Sequence, residues 1–150
     1  MNDPLRCSEM TAQSDIDAAL AANSERIMRA LYPDVSTAVS HDGSASGAAL
    51  FAPLPEHVGA PGWVQGGLSA TVLDFVCARL ASAAIEMKVA TGTLDLRYRQ
   101  PVLLDGGPYR VEGSTDRPGS RTVRVRSAIL SAEGRPLIEA SGLFIGVAPL

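Results

Sequence analysis

Histidine and cysteine are scarce in this chain, two of each among 150 residues, and none of the four stand at metal-ligand spacing. No metal site is expected from such a set, and no Cys–His nucleophile pair. Cys7, near the N-terminus, and Cys77, inside an apolar stretch, have no paired spacing, so a disulfide is not expected. A basic excess is lacking too: the net charge of −3 and pI near 5.3 argue against nucleic acid as a partner. The longest apolar stretch, residues 64–85, is broken by Asp74 and Arg79, so no membrane role is expected. Met1-Asn-Asp-Pro-Leu-Arg-Cys7 lacks the basic-then-apolar order of a signal peptide, and a cytoplasmic location is the expectation. What the chain does have is 46% hydrophobic content over a length that supports one domain with a substantial core.

The most informative stretch is Gln65-Gly-Gly-Leu-Ser-Ala-Thr-Val-Leu-Asp-Phe-Val-Cys-Ala-Arg-Leu-Ala-Ser-Ala-Ala-Ile85, an apolar helix opened by a glycine pair and carrying one isolated carboxylate, Asp74. First-turn N–H groups have no intrahelical partner and sit at the positive end of the dipole, so Gly66 and Gly67 offer bare donors to a ligand oxygen. Asp74 has only small residues at i±3 and i±4, namely Ala70, Thr71, Cys77 and Ala78, which leaves space beside the carboxylate. Arg79 lies roughly 140° around the axis and is badly placed to pair with it. The expectation is that helix N-terminus and carboxylate reach one bound carbonyl. The rival reading is an acid paired with a distant arginine. Cys77 reads as a packed core thiol.

Around this helix the chain divides simply. Residues 1–13 read as a mobile leader, and Ser14-Asp-Ile-Asp17 as the start of a packing helix that Pro33 stops after Tyr32. Residues 35–40 and 45–51 flank His41-Asp-Gly-Ser44 as a hairpin. A Pro- and Gly-rich loop, residues 53–63, reads as the wall of a pocket. After the helix, Thr91, Thr93, Asp95, Arg97 and Arg99 alternate as an exposed face against Leu94, Leu96 and Tyr98, and turns then mark three further strands, 109–114, 121–131 and 136–147. These four strands read as a meander. The whole is an α+β domain over residues 14–150, a curved antiparallel sheet around one long central helix, with an extra N-terminal helix.

Pro61-Gly-Trp-Val-Gln-Gly-Gly67, Val72-Leu-Asp74, Thr91-Gly-Thr-Leu-Asp-Leu-Arg-Tyr-Arg-Gln-Pro101 and Glu133-Gly-Arg-Pro-Leu-Ile-Glu-Ala-Ser-Gly142 together resemble the hotdog-fold acyl-CoA thioesterases of the phenylacetyl-CoA and 4-hydroxybenzoyl-CoA type. The resemblance implies a hotdog fold and an acyl-CoA substrate, with coenzyme A part of that substrate and no separate cofactor. It implies a carbonyl polarised by the Gly66 N–H with Gly67 beside it, Asp74 as nucleophile or general base, and Thr91 positioning water. A homodimer or homotetramer with sites completed by the partner is implied as well. Two positions depart from the family pattern: Gln65 stands where histidine is usual, and Gly59 where many members have asparagine. Gln65 can still donate an N–H but carries no proton at neutral pH. His57, two residues from Gly59, is the candidate to substitute at the substrate, against the rival reading of a loop-packing histidine. Seven of the thirteen basic residues, all arginine, fall between Arg97 and Arg126. Arg124 and Arg126 read as a solvated strand face, whereas Arg117 and Arg121, bracketing Pro118-Gly-Ser120, are the candidates for nucleotide contact. A non-catalytic acyl-CoA binding or sensing protein is the alternative, followed by a hydratase or dehydratase; the seven aromatic residues do not specify an acyl group.

Overall fold

The computed structural model describes residues 4–150, with side chains from Gln13 onward. In chain order the elements are α1 (Pro4–Arg29), β1 (Ser36–Val39), β2 (Ala45–Phe51), a 3-10 turn (Pro55–His57), α2 (Gly66–Ile85), β3 (Met87–Tyr98), β4 (Tyr109–Thr115), β5 (Thr122–Leu130) and β6 (Pro136–Pro149). The six strands form one antiparallel sheet in the order β1-β2-β4-β5-β6-β3. The last four strands are therefore no meander. β3 pairs only with β6, at the edge, and β4 sits in the middle of the sheet between β2 and β5. Residues 99–108 make this crossing because they are tied elsewhere: Val64 N–H donates to Val102 O at 2.8 Å, Leu104 N–H to Gly62 O at 3.0 Å, and Trp63 bridges Leu103. The chain thus leaves β3, runs past the entrance to α2, and only then returns to the sheet.

α2 is long and apolar enough to cross a membrane by composition, but here the sheet takes one side of it. Val72, Leu73, Val76, Cys77, Leu80 and Ala81 are buried against Val111, Val123, Val125, Ile129, Ile138 and Phe144. Two glycines let the sheet approach: a Cβ on Gly113 would stand 2.6 Å from Leu80 Cδ1, and one on Gly47 2.9 Å from Leu80 Cδ2. Leu80, fully buried there, contributes about 1.5–3 kcal/mol relative to exposure. Glu86 ends the helix in the left-handed conformation, φ 54°, and Ser82 Oγ holds Met87 O at 2.7 Å, so β3 starts at once.

α1 departs from expectation at both ends. It begins at Pro4, ten residues before Ser14, and ends at Arg29, so much of the stretch read as a leader is helical. Proline suits a first helical turn, where its missing N–H would have no partner. Ile16, Leu20 and Met28 are exposed, so α1 is not packed along its length. Its exit is anchored, through buried Leu31, an ion pair of Arg26 with Glu56, and an edge-on contact of Tyr32 with Phe75 at 5.0 Å. The Cys7 side chain lies outside the described residues.

Candidate active site

Gln65 is the N-cap of α2 and folds its own amide back over the helix. Its Oε1 accepts from Leu68 N–H at 2.9 Å, while its backbone carbonyl takes Leu68 N–H at 3.0 Å and Ser69 N–H at 3.2 Å. The cap consumes the third-turn-position donor and leaves the Gly66 and Gly67 N–H groups to solvent or a ligand. The loop before it is pinned tightly: Gln65 N–H donates to His57 O at 2.8 Å, and a Cβ on Gly59 would stand 2.8 Å from Gln65 Cα. From the sheet side Tyr98 reaches the same turn, its O–H donating to Gly66 O at 2.8 Å. Tyr98 was expected on a buried face; it is 53% exposed, because β3 has no further strand beside it. Its partner on the helix gives no sequence signal, since a Tyr in an alternating strand reads as core.

Asp74 lies half-buried in the middle of α2, and Thr91 Oγ1 donates to its Oδ1 at 2.8 Å. Simple alternation puts Thr91 on the face shared by Thr93 and Asp95, away from the helix. A β-bulge at Gly92 reverses this: Thr91 stands opposite Phe144, whose side chain is buried under α2, while Thr93 stands opposite Leu143 on the other face. One extra residue therefore re-aims the hydroxyl onto the carboxylate. Among the described residues no salt bridge reaches Asp74. Cys77, one turn on, is fully buried; burial pushes its thiol up to about 12, the Asp74 charge adds to the rise, and a hydrogen bond with Ser127 opposes it. It is a packed core thiol and no nucleophile at neutral pH.

Gly66 and Asp74 are eight residues apart on one continuous helix, a rise of about 12 Å. One carbonyl bound at Gly66 is out of reach of Asp74 in the same chain, which corrects the expectation that both act on it together. A site using both groups must take one of them from a second copy.

No family model matches the sequence, and no curated protein sequence does either. Solved structures do. A thioesterase superfamily protein is similar at 29% identity and TM-score 0.59, over 75% of this chain and 56% of that one. A hypothetical thioesterase protein with coenzyme A from Streptococcus pneumoniae is similar at 15% identity and TM-score 0.61, over 77% of this chain and 90% of that one. The Streptococcus mutans protein smu.793 bound to acetyl CoA follows at 12% identity and TM-score 0.62, over 79% and 92%. The chain takes the hotdog fold of the thioesterase superfamily. Within that fold β3 is an open edge, and Thr91, Asp74 and Tyr98 all lie along it.

The remaining candidates of this hotdog chain fall in other places. His57 is fully buried, its Nδ1 accepting from Leu54 N–H at 3.0 Å and its Nε2 donating to Ile27 O at 3.0 Å. With both ring nitrogens engaged, it ties α1 to the loop before α2 and cannot contact substrate, which corrects its expected role. Arg121 donates to Gly146 O at 2.9 Å, and Gly146 is the residue that Ile85 and Met87 close over. Arg121 thus belongs to the C-terminal end of α2, opposite Gly66. Arg117 is exposed on the same turn, near enough to Asp42 to help lower its pKa, although hydrogen bonds from Ser44 are the larger cause. A groove of about 950 Å³ is on the outer face of the sheet among Arg97, Glu112, Arg126 and Glu139, and Asp74 is not part of it. Arg126 there pairs with Asp116 at 2.7 Å. Among the described residues no group of His, Cys, Asp and Glu is placed to hold a metal.

Proposed function

We propose that this chain is a cytoplasmic acyl-CoA thioester hydrolase whose sites are shared between two copies. The observation that carries the reading is the Asp74–Thr91 pair, built by a bulge beside a long open strand edge. Antiparallel pairing of two β3 edges sets the Met87 end of one strand against the Tyr98 end of the other. Asp74 and Thr91 of one copy then approach Gly66 and Gly67 of the second, and the 12 Å separation within a chain is no longer an obstacle. The same pairing brings the Arg117 and Arg121 turn of one copy toward the second copy's helix N-terminus, where nucleotide phosphates of the bound substrate are to be held.

In such a site the thioester carbonyl accepts from the Gly66 N–H. Thr91 occupies one oxygen of Asp74, so the other is free to take a proton from water. The water oxygen bonds to the carbonyl carbon, its proton passes to Asp74, and the tetrahedral oxyanion is stabilised at the helix N-terminus. Collapse breaks the C–S bond and releases the carboxylic acid, and the departing thiolate of coenzyme A takes the proton back from Asp74 to leave as the thiol. Each oxyanion donor is worth roughly 2.7–4 kcal/mol, and general-base help on the order of 10²–10⁴ in rate. With His57 engaged in the core, a hydratase or dehydratase lacks its proton carrier. A panel of short, medium and aryl acyl-CoAs, followed by free-thiol release, tests the reading: turnover of one class supports it, and saturable binding with no thiol released makes the chain a binding protein instead.

A further inference from the structure

Tyr98 closes β3 at the end nearest the α2 N-terminus, and its ring lies across the first residue of that helix. Ring atoms stand 3.3 Å and 3.6 Å from where a Cβ on Gly66 would be, and the hydroxyl donates to Gly66 O at 2.8 Å. A peptide group is one conjugated unit, so the Gly66 carbonyl and the Gly67 N–H belong to the same resonance system. A donor on the oxygen draws density toward it and makes the N–H at the other end a better donor. One peptide earlier the helix does this unaided: Gln65 O accepts from Leu68 and Ser69 at 3.0 Å and 3.2 Å, and the N–H of that unit is Gly66's. The Gly67 unit differs, because its carbonyl, Gly66 O, takes a side-chain donor from the sheet in addition to the helix's own bond. Desolvation raises the Tyr98 pKa, so the phenol keeps its proton.

We propose that Tyr98 is a positioning residue for thioester hydrolysis, its hydroxyl fixing and polarising the Gly66–Gly67 peptide so that the Gly67 N–H joins the Gly66 N–H on the carbonyl oxygen. This rests on the hydrolase reading above. Tyr98→Phe keeps the ring against Gly66 and removes only the hydroxyl. kcat for thiol release should fall about three- to tenfold while KM stays within about twofold. The direct readout is the carbonyl stretch of a labelled acyl-CoA bound to the Asp74→Asn chain, where the thioester persists. Adding Tyr98→Phe should move that stretch to higher frequency. Unchanged kcat and frequency overturn the proposal, and so does a lower kcat at unchanged frequency, which makes Tyr98 a packing residue. If the wild type binds acyl-CoA and releases no thiol, the hydrolase reading fails, and the frequency comparison decides Tyr98 independently.

Discussion

The sheet has two edges, and they are built to opposite specifications. β1 is four residues long and carries Ser36, Thr37, Ala38 and Val39, all exposed, with the Ser36 hydroxyl spent on Ala48 O at 3.0 Å. β3 is twelve residues long, kinked by bulges, and turns Thr91 and Tyr98 onto the helix side. Shortness is a standard way to keep an edge from pairing. The edge left long is the one that borders the carboxylate, so the availability of β3 and the placement of Asp74 are read as one arrangement.

The sharpest way to break that contrast is Asp74→Asn, which fills the same space but neither attacks nor accepts a proton. Thiol release should drop by about 10²–10⁴ with fold and assembly intact; a loss smaller than tenfold removes Asp74 as the base. Next comes dilution. Turnover per chain should fall as light scattering shows the 15.6 kDa single chain accumulating, and amide exchange across residues 90–98 should accelerate in step while that of β1 stays fast throughout. Full activity in a dilute single chain would dissolve the shared site. Thr91→Val, which deletes the hydroxyl on Asp74, should cost about threefold to tenfold in kcat, with Thr91→Ser restoring it. Its counterpart on the other edge is the smallest: Ser36→Ala should lower stability by about 0.5–1.5 kcal/mol at most and leave kcat unaltered. Equal kinetic effects from the two hydroxyl deletions would show that the edges are not specialised.

Much of this was legible in the sequence, and the misses share a cause. The bounds of α2 and β2 follow from period and flanking glycine or aspartate, and the folded elements keep them. Strand pairing was not legible, because β3 finds β6 through a contact distant in sequence, while the residues that should turn it toward β4 are claimed by Gly62 and Val64. Local alternation also misplaced Thr91; it set Tyr98 on the helix side correctly and missed only its exposure at the open edge. A bulge moves one residue out of phase, and nothing about Gly92 as a letter distinguishes it from a plain strand glycine. The resemblance placed Thr91 at the site where alternation did not. His57 fails for the converse reason: its loop position suggested substrate, and only the fold reveals that Ile27 O and Leu54 N–H already occupy its ring. The reach from Gly66 to Asp74 was available from helix rise alone, and spacing in sequence concealed it.

The chain has one tryptophan, and it stands where the optics are useful. Trp63 is half-exposed, bridged to Leu103, and two residues from the cap of α2. Its emission comes from a single known address, without a second indole to dilute it. Entry of an acyl chain or a second copy beside the helix N-terminus changes the water around that ring, so titrations on the unlabelled, unmodified protein report occupancy by wavelength and intensity. A catalytically dead variant can be titrated in the same cuvette.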